Sequence, residues 1–164
     1  TVNISSPNTP NLRDLHNANN LSNLLLSIEN KAKELKTKIP FFLKISPDET
    51  NESIENIIKT VETSFFKGVI ATNTTIDKTN LTNKKYKEIE GGLSGKPLMN
   101  KSNDKIKLIK SKSNGEIPVI GVGGVMDAED FNKKIEAGSE LVQIYTGFVI
   151  KGPNVLNEIL DKDD

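Results

Sequence analysis

The run Asn3-Ile4-Ser5-Ser6-Pro7-Asn8-Thr9-Pro10 crowds amides, hydroxyls and two prolines into one short segment. Four further clusters punctuate the chain: Lys44 among apolar neighbours, Thr72-Asn73-Thr74-Thr75, Gly121-Val122-Gly123-Gly124, and Tyr145-Thr146-Gly147. Each has a plain structural use on its own. Ser-Pro-Asn-Thr-Pro makes a turn, because Pro fixes φ and Asn and Ser bond to nearby backbone. A strand Lys snorkels or lies at an edge, Thr-Asn-Thr-Thr can cap a helix, and Gly-Val-Gly-Gly can be a tight turn.

Together the clusters demand more. Each lies in or at the end of a short apolar run, and polar groups at the ends of consecutive parallel strands converge on one rim. Burying them there requires a ligand or partner groups. Gly123 and Gly124 allow backbone N–H groups to approach a phosphate near the start of the next helix. Tyr145-Thr146-Gly147 would complete the phosphate site that barrels build after their last two strands. A phosphate-bearing cofactor is the ligand class these residues suit. Lys44 could hold negative charge on a reduced flavin. Asn3, Asn8, Asn73 and Thr74 offer neutral donors and acceptors for a planar, amide-bearing ring. The residues alone reach a flavin and a small polar heterocycle, and no further.

The elements that must position these clusters alternate. Apolar, β-branched runs fall at residues 2–4, 41–45, 68–72, 117–122 and 141–145. Each is apolar nearly throughout, as parallel strands buried on both faces are. Between them lie helical patterns. Leu21, Leu24, Leu25, Ile28, Ala32 and Leu35 share one stripe, and Ile54, Ile57, Ile58 and Val61 repeat it. Ile106 and Ile109 mark a third helix. A fourth spans residues 128–137, with Asp127 as N-cap and Gly138 ending it. Val155, Leu156, Ile159 and Leu160 open a fifth after Gly152-Pro153. Repeated βα units give a doubly wound sheet or a (β/α)₈ barrel, and five are too few to close the barrel. Residues 73–101 form a long polar connection with a Gly-Gly-Leu-Ser-Gly core, placed after a strand where a barrel carries its active site.

Composition removes several classes. Among 164 residues there is no Cys and one His, so disulfides, thiolate sites, a Cys nucleophile and His-based metal sites or triads are unsupported. Lys+Arg and Asp+Glu are both 22, leaving no basic field for nucleic acid. No apolar run nears the roughly 20 residues that span a bilayer. Thr1 opens directly into strand-like sequence, so no signal peptide is expected and an N-terminal portion is expected to be lacking.

Six segments in order resemble class 2 dihydroorotate dehydrogenases. They are residues 2–10 with Leu12-Arg13, Lys44-Ile45-Ser46-Pro47-Asp48, Ile70-Ala71-Thr72-Asn73-Thr74-Thr75, Gly91-Gly92-Leu93-Ser94-Gly95-Lys96-Pro97-Leu98, Ile120-Gly121-Val122-Gly123-Gly124 and Leu141-Val142-Gln143-Ile144-Tyr145. The resemblance covers essentially the whole chain. It implies an α/β chain holding the C-terminal five βα units of a (β/α)₈ TIM barrel, with residues 1–164 as part of one FMN-binding domain. It further implies oxidation of dihydroorotate to orotate in pyrimidine synthesis. By that resemblance Ser6 is the general base for the C5 proton, and a hydride from C6 goes to N5 of FMN. Serine is a poor base unaided, and Thr9 would assist through a water relay. Class 1 enzymes carry Cys at the base position, so Ser6 selects class 2. Asn3 would contact flavin and substrate, and Ser6, Asn8, Asn73 and Thr74 would hold the substrate. Lys44, Thr72, Gly95, Gly124, Tyr145 and Thr146 would bind FMN, with the Ser94 loop beside it. No metal and no nucleic acid are expected. His16 matches nothing in the family and reads as an exposed structural residue.

Asn11 departs from the family, standing where Gly is usual; Asn tolerates a left-handed turn better than most residues. The family's first three strands are missing, and so are the N-terminal helices that form the quinone tunnel and dock on a membrane. A substrate-binding Lys also comes from that part. The implied location is peripheral, on the cytoplasmic face of a bacterial inner membrane or on the mitochondrial inner membrane. The chain alone is expected to be insoluble or inactive, because its sheet would be left with open edges. The alternatives are a non-catalytic flavin- or phosphate-binding module, and an FMN barrel acting on another dihydropyrimidine.

Overall fold

A computed structural model describes residues 1–6 and 18–160. Strands β1 (Val2–Asn3), β2 (Phe42–Ile45), β3 (Gly68–Ala71), β4 (Val119–Val122) and β5 (Leu141–Gln143) form one sheet. Helices α1 (Ala18–Glu34), α2 (Asn51–Glu62), α3 (Lys84–Lys87), α4 (Met99–Lys112), α5 (Ala128–Glu136), α6 (Thr146–Lys151) and α7 (Asn154–Leu160) connect and follow them. All four strand pairings are parallel, and the spatial order β1-β2-β3-β4-β5 repeats the sequence order. A doubly wound sheet reverses its strand order at a switch point. Here nothing reverses, so the five units make a segment of barrel wall.

Register assigns the two faces of the sheet. Leu43 pairs with Val69 and Val69 with Val119, while Ile45 pairs with Ala71 and Ala71 with Gly121. These rows face the helices, where Leu21, Leu25, Ile54, Ile57, Ile106 and Ile109 complete a core that excludes water. The alternate row, Asn3, Lys44, Ile70, Ile120 and Leu141, lies on the opposite face.

The expectation of strands buried on both faces holds fully only for β3, all four of whose residues are buried. β2 and β4 alternate buried with half-buried residues, and in β5 Leu141 is 62% exposed. On that second face Ile70 is covered while Leu141 is open, because β3 is central and β5 is an edge. The strands are also shorter than their apolar runs at residues 117–122 and 141–145.

Helical periodicity located α1, α2 and α4 well. Leu35, placed on the α1 stripe by spacing, falls past Glu34 and is 65% exposed. Asp127 caps α5 as expected, its carboxylate accepting from the Asp130 N–H at 2.9 Å, and Gly138 follows at φ 111°. The turn α3 lies inside the connection at residues 73–101. α6 starts at Thr146, in the cluster read from sequence as a strand end, and precedes the helix expected after Gly152-Pro153, which is α7.

Candidate functional site

Strand ends β2 to β5 surround a cavity of about 510 Å³, within the usual range for small-ligand sites. Its wall carries Lys44 from β2, and Thr72, Asn73 and Thr74 from the end of β3. Gly95 and Ser94 enter from the long connection, Gly123 and Gly124 from the end of β4, and Tyr145 and Thr146 from the end of β5. Eight residues singled out for cofactor or substrate from sequence thus meet in one place: Lys44, Thr72, Asn73, Thr74, Gly95, Gly124, Tyr145 and Thr146. Leu98, Val122, Val125 and Ile144 add apolar surface.

Asn3 is not in the wall, but it is tied to it. Its Oδ1 accepts from the Asn73 Nδ2 at 3.3 Å and from the Ser5 N–H at 3.2 Å. Ser5 was passed over in the sequence and proves central. Fully buried, its hydroxyl lies 3.0 Å from the Asn3 Oδ1 and 2.9 Å from the Lys44 carbonyl, and it accepts from Asn73 at 3.2 Å. Three strand ends are joined through that one side chain. The available signal was its position two residues after Asn3, on the same side of an extended backbone. Ser6 is half buried and adjoins this network in sequence, outside the cavity wall. Thr9, Asn8 and His16 lie outside the described residues.

Two more contacts brace the rim. Thr146 Oγ1 and Ser94 Oγ are 3.0 Å apart, joining the long connection to the end of β5. Asp48, after β2, accepts from Thr75 Oγ1, from the Ile76 N–H at 3.0 Å and from Lys101 Nζ at 2.8 Å. Burial alone would push its carboxyl up, but those donors and the Lys101 charge hold it below the ordinary carboxylate range. Thr75 also pairs with Leu93 across a β-bridge, which brings the Gly-rich connection back over the strand ends.

Electrostatically the cavity is mild. Lys44 supplies a cation, and burial lowers its pKa. The other polar groups on the wall are neutral. Gly124 has φ 90°, and a Cβ there would lie 2.5 Å from Met99 Cβ and 2.6 Å from Met99 Cα. Only Gly lets the backbone come this close to α4. The start of α5 is satisfied from within by Asp127, so the Gly123-Gly124 backbone, not the helix terminus, is what the cavity meets. Among the described residues no cluster of metal-ligating side chains occurs, and no helix is long and apolar enough to cross a membrane.

The dihydroorotate dehydrogenase family model matches residues 1–162. A dihydroorotate dehydrogenase (quinone) of Christiangramia forsetii is 47% identical over 161 residues, covering 98% of this chain and 47% of that protein. The enzyme of the same name from Shewanella sp. strain ANA-3 is 46% identical over 164 residues, covering 98% and 48%. Two Eimeria tenella DHODH crystal structures superpose well. The complex with ferulenol has a TM-score of 0.89 at 29% identity, covering 98% of this chain and 48% of that one. The ligand-free form has a TM-score of 0.86 at 29% identity, covering 96% and 48%. The chain therefore spans about half the length of the relatives it matches.

Proposed function

The chain belongs to the dihydroorotate dehydrogenase family, and from that premise we propose that it carries the base and most of the flavin site of an FMN-dependent, quinone-linked dihydroorotate dehydrogenase of pyrimidine synthesis. The observation that carries this reading is the convergence of eight residues, seven at strand ends and Gly95 from the long connection, on one cavity. Residues 1–164 are then part of a single barrel domain.

The side chains suit FMN. Gly124 opens the backbone to a phosphate, Thr146 and Tyr145 stand beside it, and Lys44 offers a charge for the isoalloxazine ring. Bound there, FMN would supply a two-electron acceptor, with a quinone as its oxidant. The protein's own part is proton handling and orientation. Ser6 would take the C5 proton of dihydroorotate, with Thr9 assisting, and the hydride lost from C6 would require the two-electron acceptor that the bound cofactor would supply, leaving a C5–C6 double bond. Asn3, Asn8, Asn73 and Thr74 bond the pyrimidine amides and carboxylate, and the Ser5 network fixes Asn3 and Asn73 in register before substrate arrives. Quinone use places the protein at a membrane surface, peripheral in attachment, on the cytoplasmic face of a bacterial inner membrane or on the mitochondrial inner membrane.

The test uses the full-length protein. Ser6→Ala is expected to lower turnover of dihydroorotate by about 10²–10⁴-fold while the yellow flavin absorbance persists. Near-normal turnover with flavin retained removes Ser6 from the role of base. Faster oxidation of dihydrouracil than of dihydroorotate would move the protein to another dihydropyrimidine substrate.

A further inference from the structure

Lys134 is the one lysine among the described residues that is completely buried, and nothing proposed above uses it. It lies on the inward stripe of α5 with Asp130 and Ala137, where apolar side chains are the rule. The fold makes room for it: a Cβ on Gly121 would lie 2.7 Å from Lys134 Cγ and Cδ. Burial pushes its pKa down to about 8, against the attraction of Asp130. Asp130 is itself engaged by Lys96 and by the Met126 N–H at 3.1 Å. A buried cation not directly ion-paired is costly, and such groups are kept for a reason.

Its hydrogen bonds lead to the cavity. Lys134 Nζ donates to Ser102 Oγ on α4 at 2.9 Å, and Ser102 donates to the Val122 carbonyl at 2.7 Å. The same carbonyl accepts from the Thr72 N–H at 2.9 Å. In a trans peptide the C=O and the following N–H point in opposite directions. The Val122 oxygen is thus held between Ser102 on α4 and Thr72 after β3, and the Val122–Gly123 peptide to which it belongs lines the cavity. The donors run head to tail from ammonium to hydroxyl to peptide, so each strengthens the next.

We propose that Lys134 is a positioning residue that, through Ser102, orients and polarises the Val122–Gly123 peptide as a donor to a phosphate monoester bound in the cavity. The inference rests on the FMN reading above and deepens it: phosphate affinity is set from behind the wall, by a group that never touches ligand. Riboflavin, which shares the ring and lacks the phosphate, is the control.

Apoprotein prepared from the full-length chain is titrated with FMN and with riboflavin, followed by flavin fluorescence, for the parent, Lys134→Met and Ser102→Ala. In both variants the FMN Kd is expected to rise at least about tenfold, with the riboflavin Kd unchanged, and the double variant is expected to be no worse than either single one. Unchanged FMN affinity, or equal losses for both flavins, overturns the role and leaves Lys134 as packing. Should Lys134→Met fail to fold, Ser102→Ala carries the same comparison. A parent that binds neither flavin overturns the FMN reading itself.

Discussion

Ser5, Lys44 and Gly124 each do one thing that neighbouring residue types could not. Ser5 is small enough to be buried between strand ends and still offers a hydroxyl to Asn3, Lys44 and Asn73. Lys44 stands in the same cross-strand row as Asn3 and Ile70, which places a charge beside neutral amides. Gly124 is required twice, by its φ of 90° and by the Met99 backbone against it. Gly124→Ala is therefore expected to cost about 2–4 kcal/mol, the sum of overpacking and left-handed backbone strain, read as a lowered urea midpoint with an unchanged slope. Of these three, Lys44 and Gly124 were legible from sequence as a lone cation and a glycine pair after a strand. Ser5 was not, because its importance is a matter of which carbonyl and which amide lie across the sheet.

At the scale of elements, the Asp48–Lys101 pair fastens the loop after β2 to α4, and Thr75 fastens both to the loop after β3. Lys101 is about a third exposed on its side chain, so Lys101→Met is expected to cost only about 1 kcal/mol. The sign of its pH dependence is definite. Asp48 has a folded pKa below its unfolded value, so its contribution is present above about pH 4 and is lost as pH falls through the folded pKa. Stability curves of the parent and Lys101→Met are expected to converge on acidification. Curves that stay parallel down to the unfolding limit would show the pair contributes nothing. α5 shows where periodicity misleads: Ile135 is 39% exposed while Lys134 is fully buried. An apolar count would orient that helix by its isoleucine, whereas hydrogen bonding to Ser102 and the space at Gly121 orient it by its lysine.

Taken whole, the molecule is an unclosed wall. β1 and β5 each lack a neighbour on one side among the described residues, and Leu141, Tyr145, Val149 and Ile150 are all more than 60% exposed near the β5 edge. Unpaired parallel edges flanked by apolar side chains recruit other strands. The 164-residue chain by itself is expected to self-associate, seen as concentration-dependent sedimentation. A chain that stays monomeric at high micromolar concentration would mean the edges are covered in some other way.

The sequence by itself determined the alternation of strands and helices, the five strand ends and the residue types on them. Those are local properties: β-branching, helical spacing and glycine placement act over a few residues and can be read in order. It also carried the family resemblance, since that too resides in short ordered segments. Only the tertiary structure decided that Ser5 joins three strand ends, that α6 begins at Thr146, and that a lysine stands behind the Gly123-Gly124 turn. Each depends on partners far along the chain, such as Lys134 with Ser102 or Ser5 with Asn73. Burial and hydrogen bonding between distant residues leave no periodic trace in the sequence that builds them.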